Sequence, residues 1–304
     1  MSWLLMLLVW TGVYPAFVQM EDFMFRSIIA GILSLTATIL LPFNTAAFDS
    51  HLVQELIIKS GIRKQTEQIP QDVRDGIQQE QRLAQDPELN TAELEAAIES
   101  SINPRRMEYQ LHDDIGKNLS TEEIQEVLNW LDSPLGKKLA RLEEDAASPA
   151  VKQKMTHALQ QLIKDPGTPE RLKLLQRVEK ALHSTDAAVD MILNIQIAII
   201  STISTMAPGQ PHPTFEQIAE TVYKNRPQIQ QVISQQVIGD FLYTYHNLSK
   251  GDLETYIAFI ESPVGSKYHQ VTMKALSDAL SLSIENFGKA ISELIAGRYN
   301  HPRS

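Results

Sequence analysis

Residues 118–138 read NLSTEEIQEVLNWLDSPLGKK, and residues 247–267 read NLSKGDLETYIAFIESPVGSK. The two stretches align without a gap at a constant offset of 129, with seven of 21 positions identical and seven more conservatively exchanged, such as Trp130 with Phe259. The physics they share says more than the identities. Leu119-Ser120 before Glu123 is a capping box: a serine hydroxyl takes a backbone N–H at N3, and the N3 carboxylate reaches back to the cap. Leu119 at N′ and Ile124 at N4 complete a hydrophobic staple. Leu248, Ser249, Asp252 and Leu253 repeat the arrangement. An apolar stripe follows at helical spacing, Ile124, Val127, Leu128 and Leu131 in one stretch and Leu253, Tyr256, Ile257 and Ile260 in the other. Each helix must then break at Ser133-Pro134 or Ser262-Pro263, where serine can cap a new helix that has proline as its first residue. Gly136 and Gly265 fall in the first turn of that new helix. Glycine costs about 1 kcal/mol of helix propensity there, so close backbone packing is its expected role.

Working outward, nearly everything after Phe48 has the apolar period of helices, with no alternating β-branched runs bounded by turns. Caps and N1 prolines mark the boundaries, as at Asn103-Pro104 and Thr168-Pro169. The expected fold class is therefore all-α. It comprises two related helical-bundle domains, 48–165 and 170–300, joined at Asp165-Pro166-Gly167-Thr168-Pro169 and preceded by an apolar region, 1–47. A second break is read at Pro208–Pro213.

Two uncharged apolar stretches open the chain, Trp3–Val18 and Ile28–Leu41. Read from Met24, with Arg26 as the n-region charge and Thr45-Ala46-Ala47 as the cleavage site, residues 24–47 form a signal peptide. Met24 is then the expected start, and residues 1–23 an upstream extension. The alternative is an uncleaved membrane anchor, although each stretch falls short of the ~20 apolar residues that span a bilayer comfortably. Either way the remainder is expected outside the cytoplasm, in the periplasm or held against a membrane through its N-terminal segments.

Composition narrows the function. With 43% hydrophobic residues the chain can build a core, and its balance of 27 basic to 37 acidic residues, net −10, argues against nucleic-acid binding. Zero cysteines exclude disulfides, thiolate nucleophiles and cysteine-ligated zinc. The eight histidines show no ligand spacing, and in His112-Asp113-Asp114 adjacent side chains on a helix diverge. No catalytic residue, cofactor or metal site is expected. Ser133 and Ser262 read as caps, not nucleophiles; Lys138 and Lys267 read as lysines on a solvated helix face, with anion binding the lesser reading. Asn118-Leu119-Ser120 and Asn247-Leu248-Ser249 match a glycosylation triplet, a by-product of the repeated cap. The uncharged run Met191–Pro208 reads as a helix buried centrally in the second half. Any apolar ligand would sit between it and Tyr243, Tyr245, Tyr256 and Phe259.

The pattern Leu-Ser-x-x-Glu/Asp-Ile/Leu, an aromatic, then Ser-Pro-x-Gly-x-Lys resembles the bacterial family known as domain of unknown function 2059. The residues carrying the resemblance are Leu119, Ser120, Glu123, Ile124, Trp130, Ser133, Pro134, Gly136 and Lys138. Leu248, Ser249, Asp252, Leu253, Phe259, Ser262, Pro263, Gly265 and Lys267 carry it a second time. Trp130-Leu131 stands where the family usually has an aromatic pair, and family members often carry a single copy. The resemblance implies an exported helical protein and no chemistry. The expected function is a non-enzymatic protein-interaction or self-association module, and the alternative is a carrier of an apolar ligand or lipid.

Overall fold

The computed structural model describes residues 49–79, 91–147, 149–204 and 213–300. Both apolar N-terminal stretches, with the signal-peptide reading, lie outside these residues, as do Pro208–Pro211 of the second break. Thirteen α-helices make up the described chain, and no strand occurs in it: α1 (Ser50–Lys59), α2 (Ile62–Gln79), α3 (Thr91–Ser101), α4 (Pro104–Asn118), α5 (Thr121–Asp132), α6 (Pro134–Ala147), α7 (Pro149–Leu162), α8 (Thr168–Leu182), α9 (Ser184–Ser204), α10 (Phe215–Tyr223), α11 (Arg226–Thr244), α12 (Lys250–Ile260) and α13 (Pro263–Asn300). The fold is all-α.

The helices before and after residues 163–167 pack in matching pairs. α1 lies on α4 and α5, as α8 lies on α11 and α12. α2 packs on α3 and α4, as α9 packs on α10 and α11. The turn after α1 carries Gly61 at φ 76°, and the turn after α8 carries His183 at φ 49°. Glycine takes the left-handed conformation without steric cost; histidine there closes the C-terminus of α8 at some strain.

Helices beyond each Ser-Pro break also reach into the other half. α13 runs against α3, α4 and α5 of the first half as well as α9, while α6 and α7 pack on α11 of the second. The buried apolar side chains consequently form one continuous cluster that draws on both halves, from Val53, Leu56 and Ile57 in α1 to Leu276 and Leu280 in α13. α9 is central to it. Met191, Ile192, Leu193, Ile195 and Ile197 are buried, and α11 and α13 fill the space around them. At its other end Asp186 and Asp190 pair with Arg226 of α11. No helix among the described residues is long and apolar enough to cross a membrane.

Candidate functional site

Each Ser-Pro unit is built the same way, one hydrogen bond at a time. Ser120 Oγ accepts from the Glu123 backbone N–H at 3.3 Å, and Glu123 Oε2 accepts from the Ser120 N–H at 2.8 Å. In the second unit Ser249 Oγ accepts from the Asp252 N–H at 3.0 Å, and Asp252 Oδ2 accepts from the Ser249 N–H at 3.3 Å. Leu119 with Ile124, and Leu248 with Leu253, are buried beneath these caps. At the breaks, Ser133 Oγ accepts from the Gly136 N–H at 3.0 Å and Ser262 Oγ from the Gly265 N–H at 3.1 Å. Pro134 and Pro263, which lack an N–H, open α6 and α13. A Cβ on Gly136 would lie 2.2 Å from the Trp130 carbonyl oxygen, and one on Gly265 2.0 Å from that of Phe259. The glycines let the new helix start against the last turn of the old one.

The two units meet face to face. Trp130 and Phe259 stack with ring centroids 4.3 Å apart and planes 9° from parallel. Lys138 Nζ lies 2.9 Å from Asp252 Oδ2, and Lys267 Nζ lies 2.6 Å from Glu123 Oε2. Since 138 and 267, 130 and 259, and 123 and 252 each differ by 129, these contacts exchange under one pseudo-two-fold axis. Each lysine is bonded to the capping carboxylate of the opposite unit. Burial pushes the Glu123 carboxyl up, but the Lys267 ammonium and the Ser120 N–H hold it below its usual value. Lys138 holds Asp252 below its own usual value, against some desolvation, with help from the Ser249 cap. Within each half a further tie anchors the end of the capped helix: Lys59 of α1 reaches Asp132, and Arg177 of α8 reaches Glu261.

A cleft of about 70 Å³ opens beside the axis, lined by matched positions: Leu131 and Ile260, Gly136 and Gly265, Leu139 and Tyr268, Ala140 and His269. The last two matches are unequal, apolar in the first unit and polar in the second. Tyr268 shares a hydrogen bond with Ser60, at the end of α1, and burial holds its hydroxyl proton far more tightly than usual. His269 bonds the Leu182 backbone carbonyl, at the end of α8; burial pushes its imidazole pKa down to about 3, and its Nε2 has no hydrogen-bond partner. Beside the cleft, Tyr245 OH donates to Glu143 Oε1 at 2.9 Å, and the Tyr245 ring meets the edge of Tyr256 at 5.8 Å.

Of the aromatic group singled out from sequence, Tyr256 and Phe259 line this cleft and Tyr245 stands behind it, whereas Tyr243 packs on His246. Lys138 and Lys267 are exposed along their stems, but each ends on a carboxylate of the other unit. Their shared offset was a usable signal: both units keep this lysine, while the residue before it changes from Lys137 to Ser266. His112 Nε2 bonds Ser50, tying α4 to the start of α1. Among the described residues no cluster of three or more His, Asp or Glu could hold a metal ion.

Residues 106–165 match the model of a family described as an uncharacterized protein conserved in bacteria (DUF2059). The match begins in α4 and takes in α5, α6, α7 and the first Ser-Pro unit. No curated protein and no solved structure matches the chain.

Proposed function

We propose that the chain is a non-enzymatic, exported protein and that its Ser-Pro unit is a self-association element, engaged here by a second such unit in the same polypeptide. The reciprocal bonding of Lys138 to Asp252 and Lys267 to Glu123, around the stacked Trp130 and Phe259, supports this reading most directly. A surface that contacts an equivalent surface through exchanged residues has the form of an isologous interface, the form adopted by symmetric protein dimers. Carriage of a lipid or other apolar ligand has less support. The apolar face of α9 is filled by α11 and α13, and a cleft of about 70 Å³ compares with roughly 300–1,000 Å³ for ordinary ligand pockets. Export rests on the Met24–Ala47 pattern, and N-terminal sequencing of the processed protein is expected to begin near Phe48.

The association reading is tested by placing a protease site in residues 163–167 of the full chain and cleaving the folded protein. Native mass spectrometry is expected to show both halves held together one to one. Halves that part on cleavage would overturn the reading.

A further inference from the structure

The contacts of the joint fall into two kinds. The lysine–carboxylate bonds and the Trp130–Phe259 stack would form in any pairing of the two units, since each unit supplies both lysine and carboxylate and one aromatic ring. They hold units together without choosing between them. The polar contacts beside the cleft do choose. Tyr268 of the second half needs Ser60 of the first, and the corresponding residue at the end of α8 is Leu182, which has no side-chain hydroxyl. Tyr245 of the second half donates to the Glu143 carboxylate of the first, and the residue 129 positions after Glu143 is Thr272, whose uncharged side chain is two bonds shorter and turns its hydroxyl to the Tyr268 carbonyl at 2.7 Å. Two second halves facing one another would bury tyrosine hydroxyls without these partners. Two first halves would leave Glu143 without a tyrosine.

The segment linking the halves has the character of a hinge. Residues 163–167 are all exposed and contribute nothing to the core, so extending them uncovers no apolar cluster. What holds the turn is local: Gly167 N–H to Asp165 Oδ1, Thr168 N–H to the Asp165 carbonyl and Thr168 Oγ1 to the Leu162 carbonyl. The helices that pass between halves, α6, α7 and α13, make contacts that are indifferent to which chain supplies the other side.

We infer that the joint is directional, pairing a first half with a second half only, and that the external partner it fits is a second copy of this chain exchanging halves about residues 163–167. The product is a closed dimer in which both joints are remade. This inference rests on the self-association reading, and the two fail separately. Halves that part after linker cleavage defeat that reading. Halves that hold, with no exchange between chains, defeat this one alone.

The test uses two preparations of the full chain, one of natural mass and one labelled with nitrogen-15. They are unfolded together in urea, refolded at high concentration and then diluted. Dimers of mixed mass that persist on dilution, at about twice the abundance of either pure dimer, are expected; monomers alone, or dimers that dissociate at once, would overturn the exchange. A chain lacking Pro166 and Gly167, whose hinge is too short to fold back, is expected to run as a dimer with unchanged helical content. A monomer of unchanged helicity would count equally against exchange. Directionality is read from Tyr268→Leu with Tyr245→Phe, which removes both hydroxyls that find these partners only in a first half. Refolding is then expected to yield species larger than dimers, and an unaltered distribution would refute the selection.

Discussion

Lys267 places its ammonium 2.6 Å from the carboxylate of Glu123, 144 residues away in the chain, while that same carboxylate accepts the backbone N–H of Ser120. One group thus caps α5 and binds the opposite unit. The start of the helix and the contact between halves share Glu123 Oε2, so a change at Glu123 alters both.

A charge exchange separates these roles. Replacing Lys267 by alanine leaves the cap and is expected to cost about 0.2–1 kcal/mol, the range of an exposed ion pair. Glu123→Lys with Lys267→Glu preserves the pair but removes the cap and sets a cation at the N-terminal, partly positive end of α5. The double variant is expected to stay about 1–2 kcal/mol below the parent in urea unfolding. Full recovery would show that the ion pair alone matters.

The glycines reverse an ordinary rule. Glycine to alanine inside a helix usually gains about 1 kcal/mol. At Gly265 the new Cβ would meet the Phe259 carbonyl oxygen at 2.0 Å, and at Gly136 the Trp130 carbonyl at 2.2 Å, both backbone atoms that cannot turn away. Each alanine is expected to destabilise by about 1–3 kcal/mol, as overpacking does. Gly251, whose Cβ would find only Ser249 Oγ at 3.9 Å, is the control, and alanine there is expected to stabilise. Thermal melts of the three variants decide it.

How far the sequence led follows from where its signals are local. The capping boxes, the breaks at Ser133 and Ser262 and the helical period all operate within a few residues, and the order of the chain displays them. The joint is not local. Lys138 and Asp252 are 114 residues apart, and helical spacing places a lysine on an outer face without saying whose surface lies opposite. The crossing of α13 onto α3 and α4 is likewise a matter of topology, set by a core that both halves complete. Tyr268 and His269 occupy the same helical face as Leu139 and Ala140, so only the surroundings, Ser60 and Leu182, give them distinct roles.

Trp130 makes the joint observable. It is the single tryptophan after Phe48, and it lies flat on Phe259. Phe259→Leu removes a stacked pair that contributes about 0.5–1.5 kcal/mol beyond area burial. In the chain beginning near Phe48 it is expected to lower stability by at least that amount and to shift Trp130 emission to the red as solvent reaches the indole. Emission unchanged by the substitution would mean that the ring is shielded by something other than its partner.

His269 gives the fold a defined response to acid. Its folded-state pKa is depressed to about 3 by burial, while the unfolded chain titrates near the ordinary imidazole value of about 6.5. A base held neutral in this way contributes its full stability above the unfolded pKa. As the pH falls below 6.5 the unfolded state takes up a proton that the folded state refuses, so stability is lost progressively until the folded group titrates near pH 3. The slope from this group approaches about 1.4 kcal/mol per pH unit. Glu123 and Asp252, whose folded pKa values are lowered, lose their contribution only as the pH falls through the carboxylate range, below the interval in which His269 first acts. His269→Ala, which installs the residue found at Ala140, is expected to flatten the stability profile over that interval while leaving the steeper fall at lower pH. Urea midpoints measured at pH 7, 6 and 5 for both proteins check this, and parallel profiles would remove His269 as the cause.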